Sequence, residues 1–141
     1  DHRDLHLSLR RQRQMCIRDR FIYVFLRHIS MNPCEFFKSL ADETRLKSLL
    51  LICEAGPVCV CELMSALELD QPKISRHLAQ LRAAKVVVCE RQGKWVYYRL
   101  NAAMPDWALS TIEETAKKNS DYFNAQLTNL ITQQSIPGRC N

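Results

Sequence analysis

Two stretches of this chain carry side chains whose types and spacing could do chemistry. In residues 57–64, PVCVCELM, Cys59 and Cys61 stand two apart. Such a pair can be core filler, a redox couple, or ligands for a soft ion, for which thiolates are the expected donors. In an extended segment residues i and i+2 point to one side, so Cys59 and Cys61 would face together while Val58 and Val60 face the core. In a helix they would diverge by about 200°, too far to share one atom. One ion held by both therefore requires a non-helical backbone. The pair lies just ahead of residues 62–67, which read as a helix with Leu63 and Leu67 inward. The positive helix N-terminus lowers the pKa of a nearby thiol and favours the thiolate.

The second stretch, residues 71–99, holds Lys73, Arg76, Arg82, Lys85, Arg91, Lys94 and Arg99 against Glu90 alone. The net charge of +5 for the whole chain hides this patch. Residues 1–30 hold seven Arg against three Asp, so most of the excess lies there, while residues 31–141 have 13 basic and 12 acidic residues. A local basic patch on a nearly neutral chain is the footprint of a polyanion-binding face. A charge run by itself also fits an ordinary solvated face, so its motif has to decide.

The elements that must position these groups are legible in outline. A chain of 141 residues suits one domain with a single modest core. Phe36, Phe37 and Leu40 fall at helical spacing after Pro33, which suits a first turn. Asp42 can cap a second helix with Leu46, Leu49, Leu50 and Cys53 on one face, ended by Gly56-Pro57. Residues 58–61 alternate like a short strand. LDQP, residues 69–72, is a turn that opens a further helix at Pro72, with Ile74, Leu78 and Leu81 as its buried stripe. Residues 86–90 and 95–100 read as strands joined by a tight turn at Gln92-Gly93. Residues 106–134 read as one long helix or two. Two short helices joined by a turn and followed by a basic hairpin make a winged helix-turn-helix, mainly α with a small β-hairpin. The second helix of such a pair can enter a major groove, where base edges carry a distinguishing code.

At this level of detail LADETRL (40–46), CVCEL (59–63), QPKISRHLAQLR (71–82) and RQGKWVYYRL (91–100) closely resemble the arsenical-resistance repressors of the ArsR/SmtB family. The resemblance implies a homodimeric repressor, not an enzyme. It would bind a double-stranded inverted-repeat operator and release it when a metalloid, arsenite or antimonite, binds as inducer. No permanent cofactor is implied. Gln71, Lys73, Ser75, Arg76 and His77 become candidate DNA contacts in the recognition helix, with Arg91 and Lys94 on the wing. Arg and Lys suit guanine edges or phosphates, Gln suits adenine and Ser suits phosphate. Lys73 and Arg76 could equally touch only phosphates, and His77 could cap or pack. The family dimerises through its first and last helices, where Phe36, Phe37, Leu40, Trp107 and Ile112 are the candidates, with ordinary core as the alternative.

The same resemblance makes Cys59 and Cys61 the inducer ligands. The family's best-known arsenite site reads C-x-C-x-x-C, whereas the third position here is Met64, a weak thioether ligand. Water, hydroxide or an external thiol could complete the set. So could Cys34, from the partner subunit, or Cys140 in the tail. Cys53 and Cys89 sit in apolar patterns and read as core. Cadmium, lead or bismuth sensing, and thiol redox sensing, remain alternative inputs to the same fold. A thiol oxidoreductase would need C-x-x-C and a βαβ pattern, neither of which is present. A winged helix that binds only protein would show little salt dependence.

Residues 1–30 differ from the rest and are read as a non-native or disordered extension. The DNA-binding and sensor domain is expected over residues 31–141. Seven cysteines is an odd number, no signal pattern is evident, and no apolar run reaches membrane-spanning length. These features point to a cytoplasmic chain with reduced thiols and no membrane partner.

Overall fold

Side-chain caps set the starts of three helices. In the computed structural model, which describes residues 29–137, Asn32 Oδ1 accepts the Glu35 amide at 3.0 Å and opens α1, Pro33–Leu40. Asp42 Oδ1 accepts the Arg45 amide at 3.0 Å and opens α2, Glu43–Ala55. Asp70 Oδ1 accepts the Lys73 amide at 3.1 Å and opens α4, Gln71–Ala83. That helix starts one residue before Pro72, which sits in its first turn, where a missing N–H costs nothing. Between them, β1 is the two-residue strand Val58–Cys59 and α3 runs Val60–Leu67. β2, Val87–Gln92, and β3, Trp95–Leu100, follow, then α5, Asp106–Lys118, and α6, Ser120–Gln134. The apolar segment 106–134 is thus two helices, parted at Asn119.

The expected hairpin is part of a three-stranded antiparallel sheet in the order β1-β3-β2. Gln92 pairs with Trp95, so the loop is Gly93-Lys94 rather than Gln92-Gly93. Gly93 has φ +66, the backbone sign that a two-residue II′ turn requires at its first position. Gly56, with φ 80, does the same work at the C-terminus of α2.

α2 is the central helix. It packs against α3, α4, α5, α6 and β3, so it buries Leu49, Leu50, Leu51 and Ile52 rather than a single face. Ile74, Leu78 and Leu81 of α4 are buried as their spacing predicts, and Phe36, Val86, Met104, Ile112, Phe123 and Leu130 close the same core. α3 lies between α4 and α6 and is held from both sides. The winged helix-turn-helix expected from the sequence is the observed architecture. No helix among the described residues is long and apolar enough to cross a membrane. Residues 1–28 and 138–141, and with them most of the proposed extension, Cys16 and Cys140, lie outside the described residues.

Candidate functional site

The turn from β1 into α3 is where the two cysteines meet. β1 pairs with the wing strand in the register Val58 to Tyr98 and Cys59 to Tyr97. Cys59 is the last residue of the strand and the N-cap of α3, with extended angles, φ −99 and ψ 169. The helix begins at Val60, earlier than its apolar pattern suggested, so Cys61 is already helical. The expectation of a strand through residue 61 is corrected accordingly. The sulfurs converge across a strand-to-helix junction, and their Sγ atoms are in contact at 3.0 Å. Val58 is buried and Val60 packs against the core, as the alternation required. Cys59 is only 2% exposed, whereas Cys61 is half-buried and gives the pair its access to solvent.

Glu62 completes this turn and was not singled out from the sequence. It is fully buried, and its Oε1 accepts the Cys59 amide at 2.9 Å. Its signal was the spacing C-x-x-E, the position from which a capping-box carboxylate reaches back to the N-cap amide. Met64, at the position of the absent third cysteine, is half-buried against the core. Cys34 lies exposed on α1, a helix that packs on α2 and α4. Among the described residues no three His, Cys, Asp or Glu side chains gather to hold a metal. A single chain therefore does not bring Cys34 to the pair. Cys53 is half-buried, and its thiol is pushed up to about 11 by burial, with the Glu54 and Glu113 carboxylates adding to the shift. It stays protonated at neutral pH. Cys89 is half-buried opposite Tyr98 in the wing.

The charged groups lie elsewhere, on the outer side of α4 and on the wing. Gln71, Lys73 and Arg76 are exposed, and Ser75 is partly so. Arg91 and Lys94 are exposed around the Gly93 turn, Lys94 with its Nζ 5.5 Å above the Trp95 ring. Arg99 pairs with Glu90 at 3.4 Å, which leaves the tip more basic than the base of the hairpin. His77 departs from this group. It is 7% exposed, and its Nδ1 lies 3.9 Å from Asp42 Oδ1. Its position next to the Ile74, Leu78 and Leu81 stripe turns it inward, so its placement in the single chain matches the packing reading. The Arg45 amide, aided by the nearby His77 and Arg45 charges, holds the Asp42 carboxyl below its usual range despite partial burial. Arg45 is a second residue the sequence did not flag. Its guanidinium donates to Ser39 O at 2.7 Å and to Gln80 Oε1 at 2.8 Å, which ties the α1–α2 turn to the recognition helix.

The residues expected at a subunit contact divide in two. Phe36 and Ile112 are buried within the single chain, and Leu40 is partly buried. Phe37 and Trp107 are 52% and 40% exposed, and both rings stand edge-on to Phe36, at 5.0 and 5.1 Å. Phe36 thus backs an apolar patch of α1 and α5 that Phe37 and Trp107 present to solvent.

Known proteins resemble this chain in sequence and in fold. The sequence profile of bacterial regulatory proteins of the arsR family matches residues 42–87, from the cap of α2 to the start of β2. The arsenic resistance transcriptional regulator ArsR2 of Pseudomonas putida is 47% identical over 109 residues, which is 77% of this chain and 92% of that protein. The chain belongs to the ArsR family. The arsenical resistance operon repressor of Escherichia coli is 48% identical over 101 residues, 72% of this chain and 86% of the other. Among solved structures, reduced HlyU from Vibrio cholerae superposes with a TM-score of 0.54 at 30% identity, covering 61% of this chain and 86% of its own. As an ArsR-family protein the chain is a DNA-binding transcriptional regulator and not an enzyme.

Proposed function

We propose that this ArsR-family chain is a metalloid-responsive repressor. Its homodimer binds an inverted-repeat operator and is released when arsenite or antimonite binds the Cys59 and Cys61 thiolates. The observation that carries this reading is the 3.0 Å approach of the two sulfurs at the N-cap of α3. Two sulfurs each about 2.3 Å from one soft ion, at bond angles of roughly 90–110°, would lie about 3.3–3.8 Å apart, so the pair has to open by only a few tenths of an ångström to share an ion. The names of the Pseudomonas and Escherichia relatives support an arsenical as the input. The third donor is external to the pair: water, a small thiol, or Cys34 of the partner subunit.

On the output side, Gln71, Lys73, Ser75 and Arg76 meet the operator, with Arg91 and Lys94 on flanking phosphates. His77 holds α4 in place instead of reading DNA. Phe37 and Trp107, with Leu40 at their edge, form the contact between subunits. Ligation at Cys59 acts on both reading elements, because α3 packs on α4 and β1 pairs with β3. This is a coupling of two separate sites in the thermodynamic sense. The protein works in the cytoplasm, where thiols stay reduced.

Titration of the reduced protein with arsenite tests the assignment. One arsenite per subunit is expected in the wild type and none in Cys59→Ser. Unchanged uptake by Cys59→Ser would move the sensor away from this turn. A second reading, thiol redox or cadmium, lead or bismuth input to the same repressor, draws on the same sulfur contact. Operator release by peroxide, or by cadmium in preference to arsenite, would favour it.

A further inference from the structure

We infer that Glu62 is the positioning residue of the inducer site, holding the junction that brings the two sulfurs together. This rests on the reading that Cys59 and Cys61 bind the inducer.

A fully buried carboxylate is costly unless it is hydrogen-bonded. Glu62 is fully buried, and the partner it holds is the amide of a ligand residue, Cys59 N–H to Oε1 at 2.9 Å. That amide belongs to the one residue that ends β1 and caps α3. Its extended angles are what separate the geometry of the pair from that of a helix, in which the two side chains would diverge by about 200°. The cysteine at the N-cap stands where Ser, Thr, Asp or Asn would be preferred, so the Glu62 half of the capping box carries much of the task of fixing this turn. The first helical turn also favours a negative charge. Among the described residues Glu62 does not join the cysteines in a three-residue metal group, and its Oε1 is engaged by the Cys59 amide. It acts by keeping the Cys59 backbone where its sulfur meets that of Cys61.

The required chemistry is a hydrogen-bond acceptor at this point, not a charge. Glu62→Gln keeps the acceptor and the volume, and capping boxes accept Gln as well as Glu. Glu62→Met keeps the volume and removes the acceptor. The experiment measures arsenite affinity by calorimetry and operator affinity by fluorescence anisotropy in wild type, Glu62→Gln, Glu62→Met and Cys59→Ser, all under reducing conditions. Expected is a loss of at least tenfold in arsenite affinity for Glu62→Met, with operator affinity within threefold of wild type. Glu62→Gln is expected within threefold of wild type on both. Wild-type arsenite affinity in Glu62→Met, with Cys59→Ser silent, would overturn the role of Glu62 alone. Equal loss in Glu62→Gln and Glu62→Met would make charge the operative property and overturn the positioning account. Loss of operator binding in Glu62→Met would reduce Glu62 to a residue of general stability and overturn it as well. Normal arsenite binding in Cys59→Ser would sink the thiol reading and this inference with it.

Discussion

The junction of β1 with α3 and the outer face of α4 belong to helices that pack on each other, yet they are built on opposite terms. At the junction Cys59 and Glu62 are buried and tied by hydrogen bond and strand register. On the reading face Lys73, Arg76, Arg91 and Lys94 are exposed, and few fixed contacts hold them. Two soft donors can share one small ion only if their separation is set in advance, and burial sets it. Phosphates and base edges are met by long side chains that settle after contact, and exposure permits that. A change at the junction should therefore alter geometry, and a change on the face should alter charge.

Arg76→Ala is the strongest way to break this division from the reading side. A recognition-helix arginine reading a base edge should cost about 1–3 kcal/mol of operator affinity when removed. Anisotropy should show that loss while arsenite uptake stays at the wild-type level. A matching fall in arsenite affinity would mean the two regions are one. Lys94→Ala should act more weakly and uniformly across sequences, lowering the slope of log affinity against log salt by about 1.

Asp42 lies outside both regions and tests whether stability can be changed without either function. Asp42→Ala removes the cap of α2, for which about 1 kcal/mol is expected in urea unfolding at pH 7. The Asp42 carboxyl is held below its usual range, chiefly by the Arg45 amide. Its contribution is therefore present at neutral pH, starts to fall near the ordinary carboxylate pKa of about 4, and is lost only as the pH drops through the lowered folded value, so wild type and variant should converge well below about pH 4. A difference that persisted at low pH would rule out the carboxylate as its source.

The smallest effect concerns the other thiols. At pH 8 Cys34, exposed on α1, should alkylate readily, whereas Cys53, raised to about 11 chiefly by burial, should stay unmodified until the pH approaches that value. Mass mapping after a brief pulse of iodoacetamide reads this directly. Rapid labelling of Cys53 at pH 8 would make it a competitor for the inducer.

The two regions were also unequally legible in the sequence. The cap at Asp42, the stripe Ile74, Leu78, Leu81 and the wing strand over 95–100 follow from short-range rules and stand where those rules put them, whereas the helix expected to open at Pro72 is capped by Asp70 and opens at Gln71. The junction does not follow from such rules. Pairing of Cys59 with Tyr97 joins residues far apart in the chain, and nothing local to VCVC announces the partner. Without that pairing, the alternation of apolar residues extended the strand to residue 61, although the helix starts at Val60. His77 could be read two ways for a related reason. Its type suits both DNA and packing, and its angular position beside the Leu78 stripe decides its burial. Arg45 and Glu62 were passed over because a charged residue in a first helical turn reads as surface until its partners, Gln80 and the Cys59 amide, are known.

The measurement that bears most directly on the central claim is operator release. Wild type and Cys59→Ser would each be bound to an inverted repeat from the protein's own promoter and titrated with arsenite under reducing conditions. The account predicts that arsenite frees the DNA from wild type and leaves the Cys59→Ser complex intact, with equal operator affinity in both proteins before arsenite is added. Release of both proteins at the same arsenite concentration, or of neither, would contradict it.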